Sequence, residues 1–278
     1  MAKEEEKPDN PDPDNPDKPV GIPNWKELPV ISTEGDLMFV SHDVKIGSKN
    51  VRNYSMQYDK ANKIALWVAY PLAGFYMGSQ KRTDAWGYDP KIPDSAQPNL
   101  SRGFSSMVGL SGYDRGHQLP SASRTANRTA NAQTFYFSNM TAQYYQLNQK
   151  VWAQLEGKVR AYISTCDTLY VITGPVLKTE SDTKVDIIYD RSGKVFTAKP
   201  KAYFKVLLKY SIVSNQYKAI GFWYENRAYS HSYPNSSDAQ TVAEIEKRTG
   251  LKFFTNLSLS EAELTKLKTE FAPSSWGL

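Results

Sequence analysis

The chain has 278 residues, 34 Lys and Arg against 29 Asp and Glu, and a net charge of +5. With 40% apolar and 13% aromatic residues it can bury a real core. That excludes a disordered chain, a fibrous repeat and a disulfide scaffold. The average hides a division along the chain. Residues 1–19 carry three basic residues against seven acids, net −4, while the rest carries 31 against 22, net +9.

Five of the 16 prolines also fall in residues 1–19. Proline at this density blocks helices and sheet ladders, and the acids repel one another. Residues 1–19 therefore read as an acidic, extended linker, and 20–278 as one domain. A tether holding that domain outside the cytoplasm (periplasmic, secreted or on a surface) suits such a segment; an extension with no role suits it equally. No signal peptide is read at the charged N-terminus, although removal of one would leave the same sequence. No run approaches the roughly 18 apolar residues of a membrane span. The single Cys166 cannot form an internal disulfide and excludes zinc sites built on several cysteines.

Strand-like runs follow at 36–41, 64–70, 168–173, 183–189, 202–211 and 217–224, rich in Val, Ile, Tyr, Phe and Trp. Arg191-Ser192-Gly193 reads as a hairpin turn into Val195-Phe196. Helical patterns cover about 143–163, 238–249 and 260–270. Ser237 with Gln240 and Ser260 with Glu263 fit capping boxes, and Gly250 fits a helix stop. Strands and helices do not alternate regularly. The expected fold is thus α+β, around a mainly antiparallel sheet.

Three histidines can be weighed one by one. His42, in Ser41-His42-Asp43, and His231, in Ser230-His231-Ser232, read as surface residues. His117 differs, because it closes Asp114-Arg115-Gly116-His117. On a strand Arg115 and His117 share one face and Asp114 points away. Neutral imidazole can take a proton from water near pH 7, and arginine is a fixed fork for phosphate. A turn with an ordinary salt bridge explains the tetrapeptide about as well. In the next dense segment, Leu147, Val151, Leu155 and Val159 form one apolar stripe on a regular helix. Asn148 falls inside that stripe, Trp152 beside it and Glu156 at its edge. An inward asparagine must bond its amide. It can do so to a neighbouring backbone, or offer its carbonyl oxygen to a hard cation such as Mg²⁺.

Together these segments resemble the DNA/RNA non-specific endonucleases, the family of mitochondrial endonuclease G and the secreted bacterial sugar-non-specific nucleases. The resemblance is carried by Asp114–His117, Ser138-Asn139, Leu147-Asn148-Gln149, Trp152 and Leu155-Glu156, in order. Trp67–Tyr70, Val171–Pro175, Ala202–Lys205 and Glu244–Leu251 extend it over about residues 50–256. It implies a ββα-metal fold. It implies His117 as general base and Asn148 as the sole direct protein ligand of a Mg²⁺-type ion, with Mn²⁺ as the other candidate. It implies Glu156 acting on the ion through water, Arg115 on the phosphate, and Asp114 and Asn139 in support. The family's upstream phosphate-binding arginine precedes a Trp-x-x-Asp-Pro sequence. Here that sequence is Trp86–Pro90, with Arg82 ahead of it and Lys81 as a neighbour able to share the role.

The implied activity is phosphodiester hydrolysis of DNA and RNA alike, leaving 5′-phosphate ends, since phosphate contacts position without specifying a base. A +9 body suits a polyanion. Tyr144 and Tyr145 are placed to flank the cleft. An uncontrolled nuclease would harm its host, which allows for an inhibitor protein as partner. A nucleic-acid-binding protein without catalysis, or a phosphodiesterase of small substrates on the same fold, are the rival readings.

Overall fold

The computed structural model describes residues 24–107 and 109–278, so the linker read at 1–19 lies outside the described residues. Eleven strands are present among the described residues. They are β1 Leu37–Ile46, β2 Lys49–Asp59, β3 Ile64–Leu72, β4 Tyr113–His117, β5 Met140–Tyr144, β6 Thr168–Val176, β7 Ile187–Tyr189, β8 Val195–Ala198, β9 Ala202–Ser211, β10 Gln216–Glu225 and β11 Ala239–Gln240. The α-helices are α1 Arg128–Gln133, α2 Tyr145–Leu147, α3 Ala153–Ala161, α4 Val242–Thr249 and α5 Glu261–Thr269. Seven strands form one sheet in the order β1-β2-β3-β6-β9-β10-β11. Every pairing in it is antiparallel, as the irregular element order implied. No helix of the described residues is long and apolar enough to cross a membrane.

The sheet separates two cores, and strand alternation decides which side chain enters which. Along β9, Tyr203 and Leu207 face a core that also holds Leu147, Val151, Trp152, Leu155 and Val159. Phe204, Val206 and Leu208 face the other, with Trp67, Ile172, Ile245 and Phe253. Each buried Leu, Ile or Phe contributes about 1.5–3 kcal/mol relative to exposure. A smaller third core, around Leu100, Phe104, Phe137 and Met140, lies under β4 and β5.

Three sequence expectations are corrected, and one strand is added to the expected set. The strand β2 was not read, because its buried positions include Asn53, Ser55 and Gln57. Each is rescued by a hydrogen bond to a distant residue, with Asn53 Oδ1 accepting from Arg124 Nε at 2.6 Å. The run at 183–189 is a strand only over Ile187–Tyr189, paired with β8 across the expected turn. The helix expected at 238–249 starts at Val242, where Thr241 Oγ1 caps the Glu244 amide. Residues 239–240 instead join the sheet as β11. The helix expected at 143–163 begins with the tail of β5 and is interrupted at Asn148–Trp152. The Ser260–Glu263 capping box and the left-handed Gly250 stop of α4 (φ 73°) are as expected.

Candidate active site

Strand β4 pairs with β5, and the helical segment follows directly, so a ββα unit carries the dense motifs. Gly116 has no freedom to be another residue. A Cβ there would sit 2.5 Å from the Gln143 Cβ on β5. The Arg115 guanidinium stacks 3.6 Å from the Trp86 ring centre, and the His117 ring meets Trp86 edge-on at 5.7 Å. Arg115 is fixed further by donating to the Leu100 carbonyl at 3.0 Å. Arg82 reaches the same wall. Its guanidinium lies 5.6 Å from Trp86 and 4.6 Å from Phe135, and its Nε donates to Asp84 at 2.7 Å. Two arginines thus flank one indole and one imidazole.

The surroundings hold His117 neutral. Burial, the Arg82 charge and the Arg115 charge push its pKa down to about 3, against a weaker lift from the Arg115 backbone. Its Nε2 is shut from solvent and has no hydrogen-bond partner among the described residues. A buried acceptor without a donor is costly, so this atom is ready to accept a proton donor.

Asn148 is presented by a break in the helix. Residues Asn148–Trp152 form a π-turn, with Lys150 at φ −113°, ψ −107°. The wider turn keeps both Leu147 and Val151 buried while Asn148 is only partly buried, which corrects its expected place inside the apolar stripe. Such π-bulges are frequent at functional sites. The Asn148 Nδ2 donates to Asp114 Oδ2 at 2.9 Å, and Gln149 Nε2 donates to the same oxygen at 2.7 Å. Asp114, on the opposite face of β4 from His117, therefore fixes the amide and leaves Asn148 Oδ1 available. Arg82, Trp86, Arg102, Asp114, Arg115 and Asn148 line one cavity of about 260 Å³.

Glu156 follows one turn beyond the bulge. Burial pushes its carboxyl up to about 7, opposed by the charges of Lys205 and Arg160. Lys205 comes from β9 beneath the helix. It is fully buried, its Nζ 4.5 Å from the Trp152 ring centre and without a hydrogen-bond partner among the described residues. Burial pushes its ammonium down to about 8. Asn148 and Glu156 are oxygen donors, which is the chemistry a hard divalent cation requires. Among the described residues no group of three His, Cys, Asp or Glu converges on a metal position. The donors that fit are the Asn148 carbonyl oxygen, which lines the cavity, and the Glu156 carboxylate of α3, which is not among the residues lining it.

Known proteins bear on this arrangement. The sequence profile of the DNA/RNA non-specific endonucleases matches residues 35–260. The chain belongs to that family. Nuclease C1 of Cunninghamella echinulata is 31% identical over 75% of this chain and 82% of its own length. Human mitochondrial endonuclease G is 30% identical over 75% of this chain and 70% of its own. The mitochondrial nuclease EXOG of Danio rerio is 27% identical, and the match spans 64% of it. The fold is shared with a crystal structure of an EndoG/EndoGI complex, at TM-score 0.63, covering 79% of this chain and 88% of that one, with 24% identity. The ββα unit is thus that of the ββα-metal nucleases, and the chain is a hydrolase of the endonuclease class.

Within this endonuclease fold the remaining motif residues separate into site and support. Asn139 is buried. Its Oδ1 accepts from the Leu119 amide at 2.9 Å, and its Nδ2 donates to the Leu119 and Thr134 carbonyls, which pins the chain two residues beyond His117. Asp89 of the Trp-x-x-Asp-Pro segment is buried and clamps His42 Nε2 at 2.9 Å and Ser138 Oγ at 2.7 Å. His42 is therefore a core residue, correcting its reading as a surface one; its period-2 position on β1 directs it inward. His231 remains partly exposed and bonds Asp238. Lys81 is exposed and is not among the residues lining the cavity. Tyr145 is 39% exposed and Tyr144 packs on it, 5.2 Å between ring centres. Sequence reasoning missed Arg102, which carries no motif. It also missed Trp86 as a stacking wall and Lys205 beneath Glu156, although both lay in segments that resemble the family.

Proposed function

We propose that this endonuclease hydrolyses phosphodiester bonds of DNA and RNA with a divalent metal, using His117 as general base. One observation carries the reading. The Asn148 amide is tied by its nitrogen to Asp114 in a cavity that also holds three arginines, Arg82, Arg102 and Arg115, beside an imidazole whose Nε2 has no partner among the described residues. His117 takes the proton from water as its oxygen attacks phosphorus. Arg115 and Arg82 neutralise the charge that builds on the phosphoryl oxygens. A phosphate between these arginines would also cancel their repulsion of the imidazole and raise its basicity when substrate binds. Asn148 Oδ1, with Glu156 acting through water, would hold a Mg²⁺-type ion, which when bound neutralises charge at the phosphate and assists departure of the 3′ oxygen. Mn²⁺ accepts the same donors. The products carry 5′-phosphates. Nothing among these groups reads a base edge, which supports action on both nucleic acids.

The solved relative is in complex with an inhibitor, which supports an inhibitor protein as a partner of this chain too. A domain held outside the cytoplasm by the acidic segment 1–19 belongs to the same reading. The test is digestion of plasmid and of RNA with EDTA and with metal added back. Wild type should cut both only with metal, and His117→Ala should lose about a hundredfold or more. Plasmid cutting by His117→Ala at the wild-type rate would sink the assignment.

A further inference from the structure

The catalytic cavity does not end at Arg102. On its other side, Arg102 and Gly103 also line a groove of about 650 Å³ whose far wall is the β7–β8 hairpin, with Tyr189, Arg191 and Phe196. This volume lies within the roughly 300–1,000 Å³ typical of ligand sites. The hairpin tip is preorganised. Asp190 Oδ1 accepts from the Ser192 amide, the Ser192 hydroxyl and the Lys194 amide, at 2.7–3.0 Å. These bonds hold the Asp190 carboxyl below the usual range and tie its Oδ1 into the turn, while the residue still lines the groove beside Arg191. Phe196 anchors the base of the hairpin edge-on against Phe104. What the hairpin offers outward is the ring of Tyr189, 58% exposed, beside the Arg191 side chain. Neither Arg102 nor Arg191 makes an ion pair with another described residue.

We propose that this groove is a second nucleotide subsite, holding an unpaired stretch of polynucleotide that flanks the cleaved bond. Arg102 and Arg191 contact successive phosphates, and Tyr189 stacks on a base. A phosphodiester seated against Arg115 has Arg102 as its neighbour, so a strand leaving the catalytic cavity on that side enters the groove. Every base has a π-face, so stacking on Tyr189 adds affinity without reading sequence. A base inside a duplex has both faces covered, so the contact favours single strands. The proposal rests on the nuclease reading only in that the bond cut lies in the adjoining cavity.

The test separates the two. Binding of a fluorescein-labelled oligothymidylate of about 16 nucleotides is measured by anisotropy in EDTA, where nothing is cut, alongside a duplex of equal length. Tyr189→Ala combined with Arg191→Ala should weaken single-strand binding about tenfold and duplex binding less. Tyr189→Phe, which keeps the ring, should bind as wild type. Unchanged single-strand affinity in the double variant would overturn the subsite, and so would an equal loss on duplex. If these results appear while wild type fails to cut plasmid with metal, the catalytic reading falls and the groove stands.

Discussion

His117 shows how a single side chain can be legible in sequence while its state is not. Asp-Arg-Gly-His marks the residue; only its neighbours hold it uncharged. The imidazole pKa is pushed from 6.5 to about 3 by burial first and by the two arginines second. Between those values the unfolded chain binds a proton that the folded chain refuses. The contribution of His117 to stability is therefore complete above pH 6.5 and is lost as pH falls toward 3. Replacing it with glutamine removes that loss. Going from pH 7 to pH 4, His117→Gln should lose less stability than wild type, by at most about 3 kcal/mol, read from urea midpoints at the two pH values. Parallel curves would mean the imidazole is charged or exposed in the folded chain. His42 teaches the converse. Its sequence neighbours are Ser and Asp, yet it is buried against Asp89, which is 47 residues away in sequence. No local pattern announces such a partner.

Among the elements, the ββα unit was half legible. Alternation on β4 placed Arg115 and His117 on one face and Asp114 on the other, and the structure keeps that division because a strand cannot do otherwise. The helix was different. A regular 3.6-residue repeat over Leu147–Val159 directs Asn148 into the core. The π-turn at Asn148–Trp152 breaks that repeat at Lys150, so that Leu147 and Val151 stay buried and Asn148 is only partly so. Asp114 ties the two elements together, accepting from Asn148 and from Gln149. Removing that acceptor frees the amide to turn. Asp114→Ala should raise the metal concentration for half-maximal cleavage about tenfold or more, with the wild-type rate largely recovered at saturating metal. Unchanged metal dependence would show that Asp114 does not orient the ligand. The capping residues tell a similar story on a smaller scale. Ser260 and Glu263 close their own box locally, as expected. Ser237 lost its assignment to Thr241 because residues 239–240 are claimed by the sheet.

At the scale of the whole molecule, charge matters more than any one contact. The +9 carried by residues 20–278 has a local expression in Arg82, Arg102 and Arg115 around one cavity. Each phosphate neutralised releases counterions, with a slope of about −0.7 per contact for single strands. Three such contacts should weaken oligonucleotide binding roughly tenfold to twentyfold between about 50 and 200 mM salt, measured by anisotropy in EDTA. A flat salt dependence would mean that the cleft arginines do not meet the backbone. Apolar and aromatic content, strand-like runs and the ordered motifs were enough to establish from sequence an antiparallel α+β domain of the non-specific endonuclease family. Those properties are local, or follow from periodicity, and survive without knowledge of partners. The tertiary structure alone decided that Asp114 holds the Asn148 amide, that Lys205 lies under Glu156, that His42 pairs with Asp89, and that Arg102 lines both the candidate cavity and a hairpin groove. Each depends on residues distant in sequence being brought within a few ångströms, and no pattern along the chain encodes that distance.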